Sequence, residues 1–157
     1  NLHAEWVRPG IALYGVSPFS KGIGSDLNLR PVMSMTSKLI AVRRIQAGSK
    51  VGYGEDYTSS KDQLIGVVAI GYGDGYPRQA MSKATVKIKG CESKVISVSM
   101  DMTIIDLDNV TSPRVGDKVL FWGEGFPIEN QANMIGTIPY ELLCGMRRGS
   151  RFQEIVV

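Results

Sequence analysis

Histidine is almost missing from this chain: one among 157 residues, His3. The two cysteines, Cys91 and Cys144, stand far apart and lack metal-ligand spacing. A zinc site is therefore not expected, and neither is a disulfide framework, because two thiols allow at most one bridge. Reduced thiols fit a cytoplasmic protein best. Charge of one sign is also scarce, with a net charge of +3 and only short basic doublets at Arg43-Arg44 and Arg147-Arg148. A nucleic-acid surface needs a clustered basic patch, so no nucleic-acid partner is expected. No apolar run approaches eighteen residues, and no signal peptide shows, which argues against a membrane partner. The chain starts at Asn1 without methionine and reads as a fragment of a longer protein.

Apolar residues make up 43% and charged residues 21%, the balance of a globular domain with an ordinary core. Leu64–Ile70 is an unbroken apolar run, the pattern of a strand buried on both faces. It leads into Gly71-Tyr72-Gly73-Asp74-Gly75-Tyr76-Pro77-Arg78. Glycine permits positive φ and close backbone approach, so this turn can hold a tyrosine on a rigid base. Val32–Ile45 is rich in β-branched residues with imperfect alternation, which predicts a long, bulged strand. Thr85–Ile88 and Lys94–Val98 flank Lys89-Gly90 as a hairpin. Strands are also predicted within Ser99–Leu107, at Lys118–Trp122 and at Arg151–Val157. Trp6–Gly15 has short strand character broken by Pro9 and Gly10, and residues 17–31 read as a linker. Helices are predicted at Pro127–Met134 and at Thr137–Cys144, the second with Thr137 as N-cap and Gly145 as stop. The fold class is mainly β and barrel-like, with two short helices.

Six stretches carry a family likeness: V-R-P-G-I-A-L-Y-G at 7–15, V-G-Y-G at 51–54, V-A-I-G-Y-G-D-G-Y-P-R at 68–78, S-M-D-M at 99–102, L-F-W-G-E-G at 120–125 and G-T-I-P-Y-E-L at 136–142. In this order and spacing the chain resembles the C-terminal β-domain of bacterial alanine racemases. The resemblance implies three parts: residues 1–16 as a remnant of the last strand of a (β/α)8 barrel, 17–31 as a linker, and 32–157 as the β-domain. It implies pyridoxal 5′-phosphate as cofactor, held by a barrel lysine outside this chain, and interconversion of L- and D-alanine for peptidoglycan synthesis. Inversion needs two bases on opposite faces of Cα. The resemblance puts one at that lysine and the other, acting on the L-enantiomer, at Tyr72. A free phenol titrates near ~10, so such a base needs positive charge or hydrogen bonding nearby.

Arg8 is implied to face the pyridine nitrogen, and the Gly10 and Ile11 N–H groups and the Tyr140 hydroxyl to hold the phosphate. Met100 is implied to meet the substrate carboxylate through its backbone N–H, with Asp101 beside it in the pocket. Tyr72, Met100 and Asp101 would act in the partner subunit's site, which requires a C2 homodimer. Tyr53 and Tyr76 read as packing or pocket-rim residues. One departure stands out: Ile96-Ser97 replaces the glycine-arginine usual for the family. A racemase for serine or a wider amino-acid set is the alternative. For the isolated chain, a non-catalytic dimerisation domain is expected, with residues 1–13 disordered or docked on another copy.

Overall fold

The structure is a computed structural model describing residues 5–55 and 57–146. His3, Arg147, Arg148 and the strand expected at Arg151–Val157 lie outside the described residues. The described residues hold eight strands in chain order: β1 (Met35–Ile45), β2 (Lys50–Val51), β3 (Tyr57–Thr58), β4 (Gln63–Val68), β5 (Thr85–Ile88), β6 (Cys91–Val98), β7 (Thr103–Asp106) and β8 (Lys118–Trp122). Among the described residues two α-helices follow them, α1 (Ile128–Ile135) and α2 (Pro139–Gly145). Six strands close an antiparallel barrel in the order β1-β4-β7-β6-β5-β8, and β2 and β3 form a separate hairpin.

The long strand β1 makes closure possible. Met35–Lys38 pairs with β8, and Leu39–Ile45 pairs with β4. The register shifts at Met35/Thr36 and again at Leu39/Ala41, which bears out the expected bulge. A bulge adds local twist, and twist is what a small barrel requires. Inside lie Leu39, Val68, Val86, Ile88, Ile105, Val119 and Phe121, all fully buried. Gly66 supplies room, because a methyl there would meet Leu39 Cδ2 at 2.6 Å and Leu107 Cδ1 at 2.8 Å.

β4 is covered on its outer face as well, as its apolar run predicts. Val51 from the β2–β3 hairpin packs with Ile65 and Ile96 in a second cluster, flanked by Tyr57. Gln63, itself buried, ties the hairpin down by accepting from the Tyr57 hydroxyl at 2.7 Å and the Ser59 hydroxyl at 2.8 Å through Oε1. The β5–β6 hairpin turns at Lys89 and Gly90, both at positive φ, the signature of a two-residue turn matched to strand twist. β6 starts at Cys91, three residues earlier than predicted.

Three expectations are corrected. Trp6–Gly15 is not a strand; Gly10–Tyr14 forms a 3-10 helix. Pro9 offers no N–H to a sheet, and Gly10 (φ 61°) and Gly15 (φ 75°) bend both ends of the run. The segment also docks on its own chain, since Ile11 is buried in the main core. Thr137 is not the cap of α2, where Ile138 takes that position. The Thr137 N–H still donates to Ala132 O at 2.9 Å to finish α1, and its hydroxyl bonds the Glu141 carboxylate. Pro139 does open α2, as proline suits the first turn.

At the bottom of β4, Asp108 Oδ1 accepts the Leu64 N–H at 2.8 Å, and Oδ2 lies 2.7 Å from Lys61 Nζ. Both interactions favour the carboxylate, and the Leu64 N–H, then Lys61, hold its pKa below the usual value. A depressed carboxylate adds stability above its unfolded pKa of about 4 and loses it as pH falls through the folded value. Asp108→Asn is therefore expected to cost a modest amount of stability at pH 7. Denaturant melts should show that difference shrinking below about pH 4.

Candidate active site

The glycine turn and the β6–β7 hairpin form one assembly. Tyr72 N–H donates to Ser99 O at 2.9 Å, and Gly73 N–H donates to Met100 O at 2.8 Å. The two backbones touch so closely that side chains are barred. A methyl at Gly71 would lie 2.3 Å from Ser99 O and 2.6 Å from Asp101 N, and one at Gly73 2.9 Å from Met100 O. Asp74 Oδ2 accepts the Gly71 N–H at 3.0 Å, and Tyr76 N–H closes back on Gly71 O at 3.2 Å. On the other side, Ser99 Oγ donates to Met102 O at 3.0 Å and accepts the Met102 N–H at 3.2 Å. Thr103 Oγ1 donates to Ile70 O at 2.7 Å. The sequence-predicted Tyr72, Met100 and Asp101 are thus brought together on one wall.

The two tyrosines of the turn part ways. Tyr76 is fully buried, its ring edge-on to Phe121 with centroids 4.6 Å apart and 6.3 Å from Trp122. Burial pushes its phenol pKa up. It is the packing residue that was expected, and it anchors the turn by its ring. Tyr72 is 45% exposed and faces outward.

A second assembly brings Gly10 to Tyr140. A methyl at Gly10 would lie 3.7 Å from the Tyr140 hydroxyl, an ordinary contact distance that sets the two side by side, and the φ of 61° is what favours glycine there. Ile11 anchors the short helix through its buried side chain, and the first N–H groups of a helix have no acceptor within it. Arg8 is exposed just upstream. Amide donors, a hydroxyl and a guanidinium form a donor set that fits a phosphorylated pyridine such as pyridoxal 5′-phosphate. Gly75 links the two assemblies. A methyl there would lie 2.1 Å from the carbonyl oxygen of Gly145, the last residue of α2, whose first turn carries Tyr140.

Two residues stand out beyond the expected set. Tyr53 is not packed at all: it is 99% exposed at the tip of the β2–β3 hairpin. Of the two readings given for it, packing or pocket rim, exposure excludes the first. A signal was present in V-G-Y-G, where glycines flank the tyrosine on both sides as they flank Tyr72, and Gly52 has φ 96°. Glu129 is a buried carboxylate on α1 that no motif singled out. At the departure from the family pattern, Ile96 packs under the β2–β3 hairpin and Ser97 is buried on β6 at a register shift.

No described helix is long and apolar enough to cross a membrane. Residues 32–156 match the family model for the alanine racemase C-terminal domain. An alanine racemase from Aeromonas hydrophila is 50% identical over 144 residues, 91% of this chain and 40% of that protein. The crystal structure of a biosynthetic alanine racemase from Pseudomonas aeruginosa superposes with a TM-score of 0.88 at 39% identity, covering 93% of this chain and 41% of that one. An alanine racemase from Bartonella henselae with covalently bound pyridoxal phosphate gives 0.85 at 34% identity, covering 96% of this chain and 41% of that one. The chain spans about two fifths of the length of the curated relatives it matches. Its motifs, its closed barrel and these matches agree, and the chain belongs to the alanine racemase C-terminal domain family.

Proposed function

We propose that this domain works within a pyridoxal 5′-phosphate-dependent racemase that interconverts L- and D-alanine. The observation that carries the reading is the joint placement of two assemblies within the fold of alanine racemase relatives. The bound cofactor would supply the electron withdrawal that acidifies the substrate Cα–H. Gly10 and Ile11 N–H groups and the Tyr140 hydroxyl would hold its phosphate, and Arg8 would face its ring nitrogen. An arginine keeps its own proton and donates it as a hydrogen bond, so it leaves a ring nitrogen unprotonated.

The Met100 backbone and neighbouring Asp101 would receive the substrate carboxylate. Tyr72 and Met100 share a wall that faces away from the domain's own core, which suits action in a second subunit's site. The working unit is then a C2 homodimer in which each copy completes the other. With the barrel lysine lying outside it, this chain alone holds at most one of the two bases and is not expected to racemise.

The base carried by this domain is a tyrosine, and among the exposed tyrosines Tyr53 and Tyr72 are the two flanked by glycine on both sides. The motif reading puts it at Tyr72. A specific observation favours Tyr53: its ring stands wholly clear of its own chain, on a hairpin pinned by Gln63 and the Val51–Ile65–Ile96 cluster. A group that works in another subunit must reach past its own surface. We assign the base to Tyr53 and keep Tyr72 as a wall residue beside Met100. The test of the overall reading is the full-length protein supplied with pyridoxal 5′-phosphate, assayed on L- and D-alanine with serine alongside. Absence of any alanine racemisation would overturn it.

A further inference from the structure

Glu129 lies in the first turn of α1, 7% exposed, and its Oε1 accepts two backbone N–H groups, from Ser17 at 2.9 Å and from Gly24 at 2.8 Å. Both donors belong to the segment read from sequence as a linker. That segment is a closed loop: Val32 N–H donates to Tyr14 O at 3.1 Å across its mouth. Its interior is tightly stacked. A methyl at Gly24 would lie 2.1 Å from Gly15 O, and one at Gly15 would lie 1.7 Å from Arg30 O. Gly15 in turn caps the Gly10–Tyr14 helix, with its N–H on Ala12 O at 3.0 Å. The helix thus ends in a loop in which the Ser17 and Gly24 amides converge on one carboxylate oxygen. It begins at Gly10, opposite Tyr140 on α2. Glu129 and Tyr140 sit on helices packed against one another.

We infer that Glu129 is a positioning residue for the phosphate cradle of Gly10, Ile11 and Tyr140. It fixes the far end of the short helix to α1, and so sets where the near end lies relative to the Tyr140 hydroxyl. A charged acceptor for two backbone N–H groups is strong and directional, and it ties the compact Gly24–Leu27 turn of the loop to α1. This inference rests on the cofactor reading above.

The experiment uses the full-length apoprotein and three probes: pyridoxal 5′-phosphate, pyridoxal without the phosphate, and inorganic phosphate. Glu129→Ala should weaken pyridoxal 5′-phosphate binding on the order of tenfold while leaving pyridoxal binding unchanged. Glu129→Gln keeps an acceptor oxygen and should restore affinity to within about threefold. Equal weakening for both probes would mean general loosening and overturn the inference, as would unchanged affinity for the phosphorylated probe.

Should Glu129→Ala fail to fold, the wild type carries the test by amide exchange. Coupling is reciprocal, so inorganic phosphate at the cradle should slow exchange at Ser17 and Gly24 as well as at Gly10 and Ile11. Slowing at Gly10 and Ile11 alone would sink it. A wild type that binds pyridoxal and its phosphate equally would instead remove the cofactor reading, a separate failure.

Discussion

Tyr53→Phe in the full-length protein is expected to slow racemisation roughly 100- to 10,000-fold, the range that a positioned general base contributes. Tyr72→Phe should cost far less in turnover and act mainly on KM. Phenylalanine keeps the ring and removes only the hydroxyl, and neither hydroxyl is buried, so folding should be unaffected in both. Direction of exchange gives the finer readout. In deuterated water the Tyr53→Phe protein should lose label uptake at Cα from L-alanine but retain it from D-alanine, because the opposite base is untouched. The reverse ranking, with Tyr72→Phe collapsing and Tyr53→Phe mild, would return the base to Tyr72 as the motif suggests. Less than tenfold loss in both would remove both tyrosines from proton transfer.

Gly75→Ala is the second large effect, and it falls on stability. Gly75 has φ 102° and ψ 0°, a conformation that side chains with Cβ rarely adopt. The new methyl would meet the Gly145 carbonyl at 2.1 Å for oxygen and 2.7 Å for carbon, and Met146 Cα at 3.0 Å. These are backbone atoms, so no rotamer change relieves them. Backbone strain of about 1–3 kcal/mol adds to a similar cost of overpacking. The reduced freedom of the unfolded chain returns about 0.4–1 kcal/mol. A net loss of roughly 3–4 kcal/mol follows, or on the order of 10 °C in Tm for a domain this size. Gly90→Ala is the comparison. It too has positive φ, but a methyl there meets nothing within 4 Å, so it should lose only the strain part. Equal losses in the two variants would show that the contact with α2 carries no weight.

The barrel was largely legible because its signals are local and periodic. The apolar run before the glycine turn, the Lys89-Gly90 hairpin and the imperfect alternation of β1 each point to one structure. Thr137 misled because two helices compete for it, and the end of α1 claims it first. Trp6–Gly15 misled for a different reason. Its apolar residues look strand-like, but two glycines at positive φ and a proline determine the path. Pairwise closeness within the site was legible through the family resemblance, which puts Gly10 and Tyr140 on one phosphate, and not from local pattern. Gly10 and Tyr140 are 130 positions apart, and the fold is what brings the Gly10 backbone beside the Tyr140 hydroxyl. Glu129 was invisible for the same reason, since nothing local distinguishes a solvated carboxylate in a first helical turn from one that clasps a distant loop.

The double pairing of β1 has a consequence for how the domain is made. One half of the strand needs β4, which follows soon after, while the other half needs β8, with Met35 opposite Trp122. On the ribosome the first seam can zip while synthesis continues. The second has no partner until more than eighty further residues have emerged. During that interval the front half of β1 is an open edge with unpaired amides and carbonyls, able to pair with a neighbouring nascent chain. The bulges that help close the finished barrel also irregularise that edge, so one geometric device serves both the mature domain and its vulnerable precursor.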